Sequence, residues 1–185
     1  MIYDIVWLDK VDSTNSETKR RMDSLSDLSV ISAHAQTAGR GQGDHVWLSE
    51  PGLNLTFSIA LKYGEGGILG NLAAANQSVI NEMISKTILE LLSDYGIEAR
   101  IKWPNDIYVS DKKICGILIE HSVMGASLVH SIIGVGLNVN QTVFDESLPN
   151  PTSMLLETKS SSIDLKALLN GIMDKFCKHS KSIHL

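Results

Sequence analysis

Four short stretches of this chain carry apolar residues in the rhythm of β-strands. Ile2 to Leu8 is rich in Ile, Tyr, Val and Trp, and residues 29–35 also read as a strand. From Asn54 to Leu61, the side chains Leu55, Phe57, Ile59 and Leu61 fall on one face, the period-two signature of a strand. A fourth strand, about 128–138, carries Ile132, Ile133, Val135 and Leu137. Two longer stretches repeat at helical spacing. Over about 70–94 the series runs Leu69, Leu72, Ala73, Asn76, Ile80, Met83, Ile84, Thr87, Ile88 and Leu91. The last helix is expected after a cap at Ser161 to Ile163, with Leu165, Leu168, Leu169, Ile172, Met173 and Phe176 on one side. A short helix is expected to start at Asp12-Ser13-Thr14-Asn15, where Glu17 follows Thr14 by three residues as in a capping box. Residues 36–52 read as a long glycine-rich loop, Gly64-Glu65-Gly66-Gly67 breaks the chain before the long helix, and Asn150-Pro151 marks another loop.

Between these elements lies a denser region. Pro104 pushes Trp103 towards an extended conformation, so residues 98–103 are expected as a strand ending in Lys102-Trp103-Pro104. Asn105-Asp106 reads as a turn, Ile107-Tyr108-Val109 as a strand and Ser110-Asp111-Lys112 as a hairpin loop. Lys113 to Glu120 then returns as a strand apolar on both faces apart from its ends, which predicts a central position in the sheet. Hairpin joints of this kind predict an α/β (α+β) fold with a mixed, mostly antiparallel sheet flanked by helices, as one domain over residues 1–185.

The length, 185 residues, suits one domain with a substantial core. A net charge of −5 without a dense Lys/Arg block argues against a nucleic-acid surface, so no DNA partner is expected. No apolar run approaches the length of a membrane span, the N-terminus lacks the basic start of a signal peptide, and two cysteines make no disulfide framework. A cytoplasmic protein fits these features best. The histidines at 34, 45, 121, 130, 179 and 184 show no paired metal spacing and read as structural or surface residues.

Candidate chemistry concentrates where charge interrupts apolar strands. Lys102, Asn105, Asp106 and Lys113 bring two ammonium groups, a carboxamide and a carboxylate close together in sequence, and a core rarely keeps such groups for stability alone. A surface hairpin with solvated lysines is the plainer reading of the same residues. Gly39-Arg40-Gly41-Gln42-Gly43 is not a dinucleotide fingerprint, because Asp44 stands where the third glycine belongs, and no P-loop occurs. Its glycines still allow close backbone approach, and its N–H groups and the Arg40 guanidinium suit an anion. Ser13-Thr14-Asn15 can be explained by helix capping or by binding a small polar head group. Gln36 ends a strand beside the glycine loop, Asn138 ends the strand after Gly134-Val135-Gly136, and Trp47 reads as a lid aromatic or a core anchor.

In order along the chain, Ser13-Thr14-Asn15, Gln36-Thr37-Ala38-Gly39-Arg40-Gly41, Trp47, Asn54-Leu55, Lys102-Trp103-Pro104-Asn105-Asp106, Lys113-x-x-Gly116-Ile117-Leu118-x-Glu120 and Gly134-Val135-Gly136-Leu137-Asn138 resemble the biotin–protein ligases. The resemblance implies a fold related to class II aminoacyl-tRNA synthetase catalytic domains. It also implies an enzyme that activates biotin with ATP and Mg²⁺ as biotinyl-5′-AMP and transfers it to a lysine of a biotin carboxyl carrier protein. Carried over, Ser13, Thr14 and Gln36, with Asn15, would hold the ureido ring of biotin. Gly39, Arg40 and Gly41 would bind its carboxylate and the adenylate phosphate. Lys113 would touch both carboxylate and α-phosphate, Gly116 would let its strand approach biotin, and Asp106 would serve the metal and reaction centre. Trp47, Lys102, Asn105 and Asn138 would lie on the nucleotide side, with Trp47 covering the adenine. Catalysis would rest on Lys113, Arg40 and Asp106, with no metal ligand assigned as certain, and the resemblance is compatible with a homodimer.

Two departures matter. Many members continue the glycine loop with arginines and a glycine, where this chain has Gln42-Gly43-Asp44-His45, so a weaker hold on the adenylate is expected. Members also usually carry a small β-barrel after the catalytic domain, and some carry an N-terminal DNA-binding helix-turn-helix; neither is expected within this chain. The alternatives are a lipoate or octanoate ligase or transferase of the same fold, which needs fewer polar groups around its acyl chain, and a non-catalytic binder of biotin or biotinyl-AMP.

Overall fold

In the computed structural model, which describes residues 3–182, one seven-stranded sheet organises the chain. The strands are β1 (Asp4–Val11), β2 (Ser29–Gln36), β3 (Leu55–Lys62), β4 (Arg100–Lys102), β5 (Asp106–Val109), β6 (Lys112–Met124) and β7 (Ser127–Leu137). Their order is β1-β2-β3-β7-β6-β5-β4, parallel between β1 and β2 and antiparallel at every other pair. This is the mixed, mostly antiparallel sheet that the hairpin spacing predicts, with β6 in its interior beside β7. Ile2, expected in the first strand, and His184 lie outside the described residues.

The two faces of the sheet differ because β3 and β7 alternate. Leu55, Phe57, Ile59 and Leu61 join Ile133, Val135 and Leu137 in one core with α2 (Ser78–Asp94) and α4 (Leu165–Lys181). The helices contribute Ile80, Ile84, Ile88, Leu92, Leu169, Ile172 and Phe176, all fully buried. Burying each such side chain contributes about 1.5–3 kcal/mol, which is what holds two amphipathic helices on this face. The opposite face carries Thr56, Ser58, Ala60, Ile132, Gly134 and Gly136 and is only partly covered, by α1 (Thr14–Arg21) through its buried Thr14, Asn15 and Thr18 and by the turn after it, where Met22 packs on Ala60 and Ile132. That half-covered face is where a ligand can reach the sheet.

Several expectations are corrected. The long helix begins at Ser78, not near 70, because Gly70 is left-handed (φ 59°) and residues 72–74 instead bond to the start of β7, with Leu128 N–H donating to the Leu72 carbonyl (2.9 Å). Leu69 and Leu72 keep the helical period only because this loop packs into the same core. The strand expected at 98–103 shrinks to Arg100–Lys102 on the sheet edge, and Trp103 is 86% exposed. At α1 the N-cap is Ser13 with no side-chain cap bond, and Glu17 turns away from the helix start to pair with Arg20 and Arg21, so no capping box forms. The last helix is capped by Asp164, whose carboxylate accepts from Lys166 N–H (2.8 Å) and Ala167 N–H (3.1 Å). An additional helix, α3 (Met154–Thr158), follows the N-cap Ser153. Among the described residues no helix is long and apolar enough to cross a membrane, and Cys115 and Cys177 are buried unpaired thiols.

Candidate active site

The site is built on an irregularity in β6. Ile107 pairs with Cys115, but the next residue of β5, Tyr108, pairs with Lys113, so Ile114 is an extra residue. Without it, Lys113 and Gly116, an odd number of positions apart, would face opposite sides of the sheet. The bulge shifts the phase by one, and the Lys113 side chain lies along the face of Gly116, its Cε 3.5 Å from where a Gly116 β-carbon would stand. Asp106, paired with Gly116 across the strands, shares that face, and its carboxylate holds the Lys113 ammonium at 2.8 Å. The backbone of Lys113 is pinned on its other side by a strap from the 141–153 loop. Lys113 N–H donates to the Asn150 carbonyl (2.9 Å), and Thr152 N–H donates to the Lys113 carbonyl (2.9 Å). Both ionic side chains of the pair remain 29% exposed, so the ammonium can exchange its carboxylate partner for an incoming anion.

Further along the same face a buried polar network replaces apolar packing. The Asn15 carboxamide donates to Glu120 (2.9 Å) and to the Leu118 carbonyl (3.3 Å), and the Ser58 hydroxyl donates to Asn15 Oδ1 (2.6 Å) or Thr14 Oγ1 (2.8 Å). Gly134 is obligatory beneath it, because a β-carbon there would lie 2.1 Å from Asn15 Oδ1. Glu120 in turn receives both guanidinium nitrogens of Arg40 at 3.1 Å, a bidentate pair. Gln36 accepts the Thr14 N–H (2.8 Å).

The glycine-rich loop is not loose. Gly41 N–H donates to the His45 carbonyl (2.8 Å) and Trp47 N–H to the Gly39 carbonyl (3.0 Å), closing a small hairpin with Gly43 left-handed (φ 62°) at its tip. The hairpin lays the Trp47 indole flat on the sheet. A β-carbon at Gly136 would come within 2.2 Å of the ring and one at Gly116 within 3.0 Å, and these two glycines are cross-strand partners. The Trp47 Nε1 is buried with no hydrogen-bond partner among the described residues, and Lys113 Nζ stands 5.8 Å from the ring centroid.

Two cavities meet at this point. One, of about 210 Å³, lies between Gly41, Gln42, Pro104, Asn105, Gly116, Leu118 and Gly134. The other, of about 360 Å³, is walled by Tyr108, Asn138, Ser147, Leu148, Pro149 and Pro151. His45, Val46, Trp47, Asp106 and Lys113 line both. The structure therefore brings together Gly41, Trp47, Asn105, Asp106, Lys113, Gly116 and Asn138 of the residues singled out in sequence. It does not bring Ser13, Thr14, Asn15 or Gln36 to either wall; Thr14, Asn15 and Gln36 bond within the network beneath, and Ser13 is buried at the start of α1. Gly39 serves the hairpin, and Arg40 is turned to Glu120. Lys102 stacks on Tyr108, 4.5 Å from its ring centroid, outside both cavities. Asn105 also latches the bulged strand, donating its carboxamide to the Ile117 carbonyl. Asn138 donates to the Thr152 carbonyl (2.9 Å), while its Oδ1 is buried without a partner among the described residues. Sequence reasoning missed His45, Glu120 as the holder of Arg40, and the wall from Ser147 to Pro151. Only the glycine spacing around residue 45 hinted at any of these.

The sequence model of the biotin/lipoate A/B protein ligase family matches residues 7–138. The bifunctional ligase/repressor BirA of Escherichia coli (strain K12) is 30% identical over 158 residues, 85% of this chain and 47% of that protein. The biotin–[acetyl-CoA-carboxylase] ligase of Paracoccus denitrificans is 33% identical over 132 residues, 71% of this chain and 53% of that protein. Among solved structures, a biotin protein ligase from Aquifex aeolicus in complex with biotin and ATP superposes with a TM-score of 0.71 at 28% identity, over 97% of this chain and 71% of that one. The chain spans about half the length of the curated relatives it matches.

Proposed function

Because the chain belongs to the biotin/lipoate A/B protein ligase family, we propose that it activates the carboxylate of biotin with ATP and passes the biotinyl group to a lysine of a biotin carboxyl carrier protein. The observation that carries this reading is the pair of cavities joined at Lys113 and Asp106. The glycine-floored cavity takes the acyl substrate, and the larger one, reaching Asn138, takes the nucleotide. Their junction is where a carboxylate can meet an α-phosphate.

The chemistry asks for a cation at that junction. A biotin carboxylate oxygen attacks the α-phosphorus of ATP, a phosphorus–oxygen bond to the β-phosphate breaks, and pyrophosphate leaves. Two unit anions about 4 Å apart repel by about 4 kcal/mol at an effective dielectric of 20, and a fixed ammonium between them offsets a comparable amount. Lys113 is held at the junction by the bulge and by the 150–152 strap, so its charge needs little reorganisation as the transition state forms. In the second step the carrier lysine nitrogen bonds to the acyl carbon, the bond to the adenylate oxygen breaks, and AMP leaves as the amine loses its proton. Trp47 and the hairpin exclude water from the mixed anhydride in between.

Mg²⁺ suits this site as an ion brought with the nucleotide. The orphaned Asn138 Oδ1 offers one oxygen ligand, which is enough for an ion that keeps phosphate oxygens and water for its other positions. Bound there, it would neutralise phosphate charge.

The test is pyrophosphate release from the purified chain with biotin, ATP and Mg²⁺, followed by mass spectrometry of an added carrier domain. Release dependent on biotin, and a carrier heavier by one biotinyl group, is expected. Release with octanoate or lipoate in place of biotin would assign the chain to acyl ligases of the other kind, and biotin binding without release would leave it a binder.

A further inference from the structure

We propose that His45 is a phosphate-facing residue, supplying as an imidazolium the second positive charge where carboxylate and nucleotide meet. The proposal rests on the adenylation reading above and deepens it. Three observations lead there. First, His45 lines both cavities beside Trp47, Asp106 and Lys113. Second, the loop seats it. Gly41 N–H donates to the His45 carbonyl, His45 N–H donates to the Gln42 carbonyl (3.3 Å), and a β-carbon at Gly41 would crowd that of His45 at 3.2 Å. Third, the neighbouring cations already have carboxylate partners. Arg40 is held by both oxygens of Glu120, and the Lys113 ammonium is matched by Asp106. Among the described residues that line the cavities, His45 is the one basic group besides Lys113.

A nucleotide and a carboxylate therefore meet a wall that is close to neutral when His45 is uncharged, and cationic when it is charged. The ionisable groups that line the larger cavity with it are Asp106 and Tyr108 of β5 and Lys113 of β6, and Asp44 precedes it in the hairpin. Histidine changes charge between about pH 5 and 8, so this device is switched by pH where an arginine would be permanently on. The sign follows. The imidazolium attracts the phosphates, so adenylate formation is fast below the imidazole midpoint and slows as pH rises through it. An anion bound nearby favours the charged ring and moves the midpoint upward.

The experiment combines rate and titration. Pyrophosphate release is measured from pH 5.5 to 9 for the parent chain, His45→Gln and His45→Arg. The ring of His45 is titrated by NMR with and without inorganic pyrophosphate. Expected are a loss of about tenfold at pH 6 in His45→Gln, smaller than the 10²–10³ of an enclosed donor because His45 is exposed, and no inflection in its profile. His45→Arg should keep its rate at pH 8.5, where the parent chain slows. Pyrophosphate should raise the midpoint of the ring in the parent chain. The same inflection in His45→Gln, with a midpoint indifferent to pyrophosphate, overturns the proposal. A midpoint that moves in a chain releasing no pyrophosphate at any pH supports the phosphate contact and sinks the adenylation reading instead.

Discussion

Replacing Gly134 with alanine adds one methyl group at the most crowded point of the site face. The new β-carbon would stand 2.1 Å from Asn15 Oδ1 and 2.8 Å from its Cγ, both far inside van der Waals contact. Asn15 cannot step aside without loosening its bonds to Ser58, Glu120 and the Leu118 carbonyl. Overpacking of this kind costs about 1–3 kcal/mol, and leaving a buried amide without partners costs about 1–3 kcal/mol more. The better strand propensity of alanine returns about 0.5–1 kcal/mol. The net expectation is a loss of about 1–5 kcal/mol, read as a lower urea midpoint at unchanged slope. The partner experiment removes the obstacle. In Asn15→Ala the added methyl meets empty space, so Gly134→Ala in that background should cost at least about 1 kcal/mol less than in the parent chain. A Gly134→Ala protein as stable as the parent, or two substitutions that simply add, would show that the carboxamide does not rest on the strand.

Four further outcomes follow from the same geometry. Lys113→Ala should lower adenylate formation by about 10²–10³ while binding of biotin alone falls less, measured by pyrophosphate release and calorimetry; equal losses in both would take the ammonium out of the reacting step. Gln42→Arg restores a cation to the wall of the smaller cavity and should slow release of biotinyl-AMP in a filter-retention assay, an effect denied if the release rate stays the same. Asp164→Ala removes the cap of α4 and should cost about 1 kcal/mol in urea unfolding, with catalytic rate untouched. Burial holds the imidazoles of His121 and His130 below the ordinary histidine value, so the unfolded chain binds their protons first as pH falls. Their contribution to stability is present above the unfolded pKa and is lost as pH drops from about 7 towards 5. His121→Gln should flatten that part of the stability profile, and an unchanged slope would argue against it.

The strands were legible because their two faces differ. Leu55, Phe57, Ile59 and Leu61 alternate with Thr56 and Ser58, and the sheet uses that alternation, one side for the core and the other for the polar network. The ordered motifs found the junction, because Asp106 and Lys113 are charges that a strand interior would otherwise exclude. What escaped was phase and partnership. Nothing in the run Lys-Ile-Cys-Gly-Ile marks Ile114 as the extra residue, since both faces there are apolar, so the reason Lys113 shares a side with Gly116 appears only in the pairing. The partner of Arg40 lies 80 residues away on β6, and an anion-binding guanidinium looks the same in sequence whether it waits for a ligand or holds a glutamate. Leu69 and Leu72 imitate the start of the helix because their loop enters the same core, whereas Ala73 and Asn76 are exposed and the segment forms only a short 3₁₀ turn at Ala74–Asn76. Ser13 and Thr14 read in sequence as ligand groups, but both are buried, and the Thr14 hydroxyl already accepts from Ser58.

The claim on which the rest depends is that a biotin carboxylate oxygen reaches the α-phosphorus at the Lys113–Asp106 junction. Biotin labelled with ¹⁸O in both carboxylate oxygens, turned over once with ATP, Mg²⁺ and a carrier domain, tests it directly. Activation by that attack leaves one labelled oxygen in the AMP released and the other in the new amide, with none in pyrophosphate. Carrier that becomes biotinylated while AMP stays unlabelled would contradict the account.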